Sequence, residues 1–254
     1  MQIEQIPVRE VLHFLGWRGT PVEQQLMDQI KSLSDEVIRA VQPRVQIRRF
    51  LIEDEGCFES TSFAPIGADI ARMLAPCHEG VLLAATLGAQ SERMLLRAQA
   101  RSAAQAVLLD AVLSAAIESV CDHAEDSLRV QLAEEGLHLT ERFSPGYGDM
   151  PLGQTKEICE VLGAAKTIGL TVSGSGIMIP RKSVTAVMGI SRDPVHRRAR
   201  GCEGCAMRER CALSDRSEKR DKKRRAAAER IPYVQQENHT ARWRDGHHAP
   251  KGWS

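Results

Sequence analysis

The chain has 254 residues, 43% of them hydrophobic and 26% charged, with a net charge of +1. That is the balance of a globular protein with a sizeable core, and its near-neutrality excludes a general attraction to nucleic acid or an anionic membrane. Aromatic residues are only 4% of the chain, too few for a base-stacking platform, and no uninterrupted apolar run reaches the roughly 20 residues of a membrane span.

In chain order, Pro7 is placed to open a short helix that Gly16 closes. Thr20-Pro-Val-Glu23 has capping-box spacing, and Val22, Leu26, Ile30, Leu33, Val37 and Val41 then recur at helical intervals as far as Pro43. Val45 to Ile52 alternates as a strand does, and Ile66 to Leu74 reads as a short helix. The apolar run Val81 to Leu87, stopped by Gly88, predicts a central strand. Ser91 to Glu135 is rich in good helix formers and free of Pro and Gly, which predicts one long helix or two in succession, ended by Gly136. Leu137 to Phe143 reads as a strand and Gln154 to Leu162 as an amphipathic helix. Leu170–Val172, Ile177–Ile179 and Val184–Ile190 read as further strands. Helices and strands are mixed without regular alternation, so the expected class is α+β with an antiparallel sheet.

The expected domain spans 1–191, with a helical region over residues 1–136 and a motif-bearing region over residues 137–191. A basic, cysteine-rich segment 192–214 follows, then a basic tail 215–254 whose Lys, Arg, Pro and Gly content predicts disorder. Met1-Gln-Ile-Glu-Gln5 lacks the pattern of a secretory signal, and seven cysteines scattered through apolar segments do not make a disulfide framework. Both point to a reducing cytoplasm.

The stretch with most chemistry is Arg142-Phe-Ser-Pro-Gly-Tyr-Gly148. A guanidinium, suited to gripping a carboxylate with paired hydrogen bonds, stands beside a Pro-Gly turn where a ligand can approach backbone closely. Tyr147 adds a flat amphipathic wall. The set suits a zwitterionic small molecule, and a plain surface turn would have the same spacing. Lys182 and Ser183, before the last strand, offer a cation and a hydroxyl or form a solvated turn. Cys202-Glu-Gly-Cys205 with Cys211 has the spacing of a metal site, zinc or iron–sulfur, with His196 or Cys57 as a possible fourth ligand; free thiols are the alternative. Cys77, Cys121 and Cys159 lie in apolar surroundings and read as core residues.

Arg142 to Tyr147, the apolar helix after it, Ile168-Gly169, Met178-Ile-Pro180 and Lys182-Ser-Val184 resemble the reactivation domain of cobalamin-dependent methionine synthase. They are more specifically similar to free-standing relatives of that domain in bacteria whose synthase lacks it. The resemblance is dense over 140–191 and looser over 7–136, where Ala85-Thr-Leu-Gly88 is its clearest piece. It implies an elongated, bent antiparallel sheet with packed helices. It also implies S-adenosylmethionine bound by Arg142, Ser144, Pro145, Gly146 and Tyr147, with Lys182, Ser183, Met188 and Gly189 lining the same site, the last two partly through backbone. The expected role is reductive remethylation of cobalamin, a methyltransferase step in methionine biosynthesis. The cobalamin would be carried by a partner methionine synthase lacking its own activation domain, with a flavodoxin or ferredoxin as electron donor. This chain departs from the family at Ser173-Gly174-Ser175, where relatives carry a Thr-Glu-Ser run. That departure keeps open a second expectation, a non-catalytic metal-binding or regulatory module with a degenerate pocket.

Overall fold

The structure, a computed structural model, describes residues 2–17, 21–53 and 56–195. It contains α1 (Val8–Phe14), α2 (Gln24–Ala40), β1 (Arg44–Leu51), α3 (Ala68–Leu74), β2 (Glu79–Thr86), α4 (Ala89–Arg101), α5 (Ala103–Glu134) and β3 (His138–Leu139). After these come α6 (Gln154–Val161), α7 (Ala164–Thr167), β4 (Thr171–Val172), β5 (Met178–Ile179) and β6 (Ser183–Ser191). The main sheet is antiparallel throughout, in the order β1-β2-β6-β3, and β4 with β5 forms a separate hairpin. The α+β class expected from sequence is the class observed.

β2 is buried along its whole length because both faces of the sheet are covered. Successive side chains point to opposite faces. Val81, Leu83 and Ala85 therefore join Met188 and Ile190 in a core with α1, α2, α4 and α5, whereas Leu82 and Ala84 join Val187 in a second core with α3 and α6. Close packing against the second face needs glycine at two places: a Cβ on Gly80 would strike the Phe58 ring, and one on Gly189 would strike the Cys77 sulfur. β1 and β2 come from the first 136 residues and β6 and β3 from the rest, so the expected helical and motif-bearing regions share one sheet.

The long helical stretch is two helices, broken at Ser102. That residue is extended (φ −161°, ψ 126°) and its side chain accepts from Gln105 N–H, a cap that needs neither Pro nor Gly. α5 is long and apolar enough to span a membrane by length and composition, but 61% of its apolar window is buried in the fold, which makes it a core helix.

Three boundaries differ from expectation. α2 starts at Gln24 without a side-chain cap, later than the capping-box spacing of Thr20–Glu23 implies, and Thr20 lies outside the described residues. α7, opened by Gly163 in the left-handed region (φ 60°), had no sequence signal. The strand expected over Leu137–Phe143 pairs at His138–Leu139, continues to Thr140, and rejoins β6 at Phe143 opposite Val187. Between those points Glu141 and Arg142 stand opposite Met188 alone, which is a β-bulge, a device that re-aims side chains.

Candidate functional site

The bulge turns Arg142 toward α5. Its Nη2 lies 2.7 Å from Asp122 Oδ1 and 3.3 Å from Glu118 Oε2, and its Nε lies 3.0 Å from Glu125 Oε2. Glu125 is fully buried and also pairs with Arg129 at 2.6 Å, and Arg129 in turn donates to the carbonyls of Leu139 and Thr140. Burial works against the Arg142 charge, but the carboxylates of Asp122, Glu118 and Glu125 outweigh it and its pKa is raised. Burial pushes the Cys121 thiol up to about 12, so it is neutral at pH 7 and the carboxylates hold the guanidinium. The residue expected to meet a ligand carboxylate is thus already held by three carboxylates of this chain.

Beyond Phe143 the chain leaves the sheet in a tight turn. Pro145 occupies its second position and Gly146, with φ 92°, its third, and Tyr147 N–H donates to Ser144 C=O at 3.0 Å. That is the pattern of a type II turn. A second turn follows at once, Met150 N–H donating to Tyr147 C=O, while Gly146 N–H donates to Met150 C=O. Pro145 and Met150 are buried and fix the two feet; Gly146, Tyr147 and Gly148 are exposed between them.

The turn is tied to the segment before α3 by contacts that no motif announces. The Asp149 carboxylate accepts from Ala68 and Asp69 N–H at 2.5 and 3.1 Å, capping α3 from a distance. These bonds, Asp69 first, hold the Asp149 pKa down. What they contribute is present above the ordinary aspartate range and lost as pH falls through the lowered value. Gly67 leaves the room Asp149 needs, and Gly148 leaves room for Asp69, whose Oδ2 would sit 2.5 Å from a Cβ there. Gln154, almost fully buried, completes the tie: its amide accepts from Ile66 N–H and donates to Ala64 C=O, each at 2.8 Å. Ile66, Tyr147 and Leu152 are left exposed along this junction.

The remaining expected residues divide. Lys182 reaches α5, its Nζ 2.8 Å from both Asp110 Oδ1 and Ser114 Oγ. Ser114 and Glu118 are one turn apart on that helix, about 6 Å of rise, so Lys182 and Arg142 are neighbours on one stripe. Ser183 is buried, its hydroxyl bonded with Thr86 Oγ1 and Pro180 C=O. Met188 is fully buried, and Gly189 packs closely against Cys77 and Leu74. Gly189 exchanges hydrogen bonds with Thr140, Val187 exchanges both of its groups with Phe143, and Met188 faces β2. Each backbone group from Val187 to Gly189 thus has a partner within the sheet. Cys202, Cys205, Cys211 and His196 lie outside the described residues; among the described residues no cluster of His, Cys, Asp and Glu could hold a metal.

Taken together, the described residues form a helix-backed antiparallel α+β domain that presents a braced Pro-Gly turn at the rim of its sheet. That fold is the one seen in the MetH reactivation domain. A crystal structure of that domain bound to AdoHcy matches this chain with a TM-score of 0.55 and 16% sequence identity, over 85% of this chain and 86% of that one. No family profile matches the sequence, and no curated protein sequence does.

Proposed function

We propose that this chain binds S-adenosylmethionine at the Ser144–Gly148 turn and acts as the activation subunit of a partner B12-dependent methionine synthase that lacks its own activation domain. The single observation that carries the reading is the likeness of fold, over 85% of the chain, to a reactivation domain bound to AdoHcy. The Arg-x-x-x-Gly-Tyr turn at the sheet rim supports it from this chain's own residues.

When bound, S-adenosylmethionine supplies a sulfonium methyl for a cobalt that has first accepted one electron, delivered by a flavodoxin or ferredoxin. The residues here do no acid–base work; they bind and orient. Gly146 and Gly148 admit the ligand close to the backbone, and exposed Tyr147 walls it from solvent. Lys182 adds positive charge on the same stripe. Arg142 takes the ligand carboxylate by releasing Glu118, which is the most exposed of its three partners and at 3.3 Å the most distant. The cobalamin belongs to the partner. Cys202, Cys205 and Cys211 hold zinc or an iron–sulfur cluster outside the ligand site.

One observation favours the second reading, a regulatory or assembly module without ligand: Arg142 already has three carboxylate partners. Calorimetric titration separates the two. Saturable binding of S-adenosylmethionine and AdoHcy at one site per chain is expected. A flat titration at millimolar ligand refutes the proposal and leaves the second reading.

A further inference from the structure

We propose that the free edge of β1 takes up an extended, acidic segment of a partner protein as an added strand, bonded to Val45 and Ile47 and paired with Arg44 and Arg48. In the order β1-β2-β6-β3 this edge is on the far side of the sheet from the Ser144–Gly148 turn, so the site is independent of the ligand proposed there.

Which backbone groups face outward follows from the ladder. Ile52 N–H donates to His78 C=O, so the even-numbered residues of β1 are bonded to β2. The odd-numbered ones face away, as Leu51 C=O does in accepting from Glu59 N–H and Glu53 N–H does in donating to Cys57 C=O. Those bonds close the edge at Leu51. Pro43, which has no N–H, closes it at the other end. Between the two stops the outward N–H and C=O groups of Val45 and Ile47 have no partner among the described residues. β1 contains no Pro, and its ladder with β2 runs from Arg44 to Leu51 without a bulge. The usual guards of an edge are therefore missing from this slot, and an unguarded edge is a template for strand addition.

The side chains of the slot select its occupant. An added strand places residues beside Val45 and Ile47 on one face and beside Arg44 and Arg48 on the other. Val45 and Ile47 are half-buried against the first core and favour apolar neighbours. Arg44 and Arg48 are exposed, and among the described residues neither pairs with a carboxylate. Arg48 Nη1 donates to Val161 C=O at 3.0 Å, and its guanidinium lies 4.9 Å from the centroid of the Phe50 ring. Arg44 lies beside Gly169, its Nη1 3.8 Å from where a Cβ would stand. Both cations are thus held next to the edge with donors to spare, whereas Arg49 is engaged by Glu79 and Glu135. Toward an incoming strand Arg44 and Arg48 stand at non-hydrogen-bonded positions, where opposed side chains come closest. Carboxylates four residues apart in that strand would meet both. A second copy of this chain would instead bring the same arginines to the edge, and opposed like charges are destabilising.

The test uses the full chain, isotope-labelled for nuclear magnetic resonance, and two end-blocked peptides. One is Gly-Glu-Val-Thr-Val-Glu-Gly; the other has Lys in place of each Glu. The Glu peptide should shift the Val45 and Ile47 amide resonances saturably, with a dissociation constant on the order of 1 mM, and slow their exchange with solvent. The Lys peptide should bind about 10-fold more weakly or worse, the sum of two exposed pairs lost and two repulsions gained. In the Arg44→Glu/Arg48→Glu chain the order should invert, with the Lys peptide the tighter, a result that only a folded edge can give. No shift at either amide with about 5 mM Glu peptide, or equal binding of the two peptides, overturns the proposal. Slow exchange at both amides before peptide is added overturns it too. Protection that rises with protein concentration would assign the edge to a second copy, and protection independent of concentration to this chain's own residues.

Discussion

Replacing Arg142 by Met keeps most of the apolar stem and removes the cation from the centre of the α5 carboxylates. Three acidic groups then lose a partner, and they are unequal. Glu118 is 41% exposed at its side chain and water compensates it; Asp122 at 20% is partly compensated; Glu125 at 0% has no access to water and keeps its pair with Arg129. Removing one partner from a buried charge network costs about 3–5 kcal/mol, most of it here from Glu125. For a domain of this size 1 kcal/mol is worth about 2–4 °C in melting temperature, so the midpoint should fall by roughly 6–20 °C. Thermal unfolding at pH 7 followed by circular dichroism measures the fall. An Arg142→Met variant within 1 °C of the parent at pH 7 would mean that the network is not a support of the fold. Loss of ligand binding in that variant could then be assigned to the ligand contact alone.

If the ligand carboxylate takes the place of Glu118, then Glu118→Gln should tighten S-adenosylmethionine binding. Discounted for exposure, such a pair is worth about 0.2–1 kcal/mol, or roughly 1.5- to 5-fold in the dissociation constant; weaker binding would show that Arg142 does not exchange partners. Gly189→Ala forces a Cβ into Cys77 and Leu74 and should destabilise by about 1–3 kcal/mol in denaturant titration, with no loss counting against the packing described. In native protein at pH 8, Cys121 should resist alkylation because burial holds its thiol up at about 12. Cys202, Cys205 and Cys211 should resist it only until a chelator is added, with metal found by elemental analysis. Prompt alkylation of all three in metal-free protein would exclude a metal site.

Much of the fold was legible because burial writes period into sequence. β2 showed as an unbroken apolar run, α2 as a 3.6-residue recurrence, and β6 as a strand between turn residues. The Ser144–Tyr147 turn was legible from Pro-Gly, since only that chemistry suits its positive φ. What stayed hidden depends on partners distant in sequence. Nothing local says that Arg142 faces α5, because the bulge opposite Met188 sets its direction. Nor does a motif tie Asp149 to the α3 backbone 80 residues earlier. Met188 and Gly189 show a related limit: a strand's residues are easily read, but which of their backbone groups a neighbour has already taken is not. The spacing Asp110, Ser114, Glu118, Asp122 on one face of α5 was a usable signal for the stripe that holds both cations.

The strand order also has a kinetic meaning. β2 ends at Thr86 and its partner β6 begins at Ser183, so the central pairing of the sheet joins segments nearly a hundred residues apart. The hairpin of α4 and α5 lies between them and can form from local contacts, whereas closing so long a loop is slow. The ladder that sets the Ser144–Gly148 turn is therefore expected among the last elements to assemble. Until β6 arrives, one edge of β2 stands unpaired, and that interval is when the chain is most exposed to misassociation.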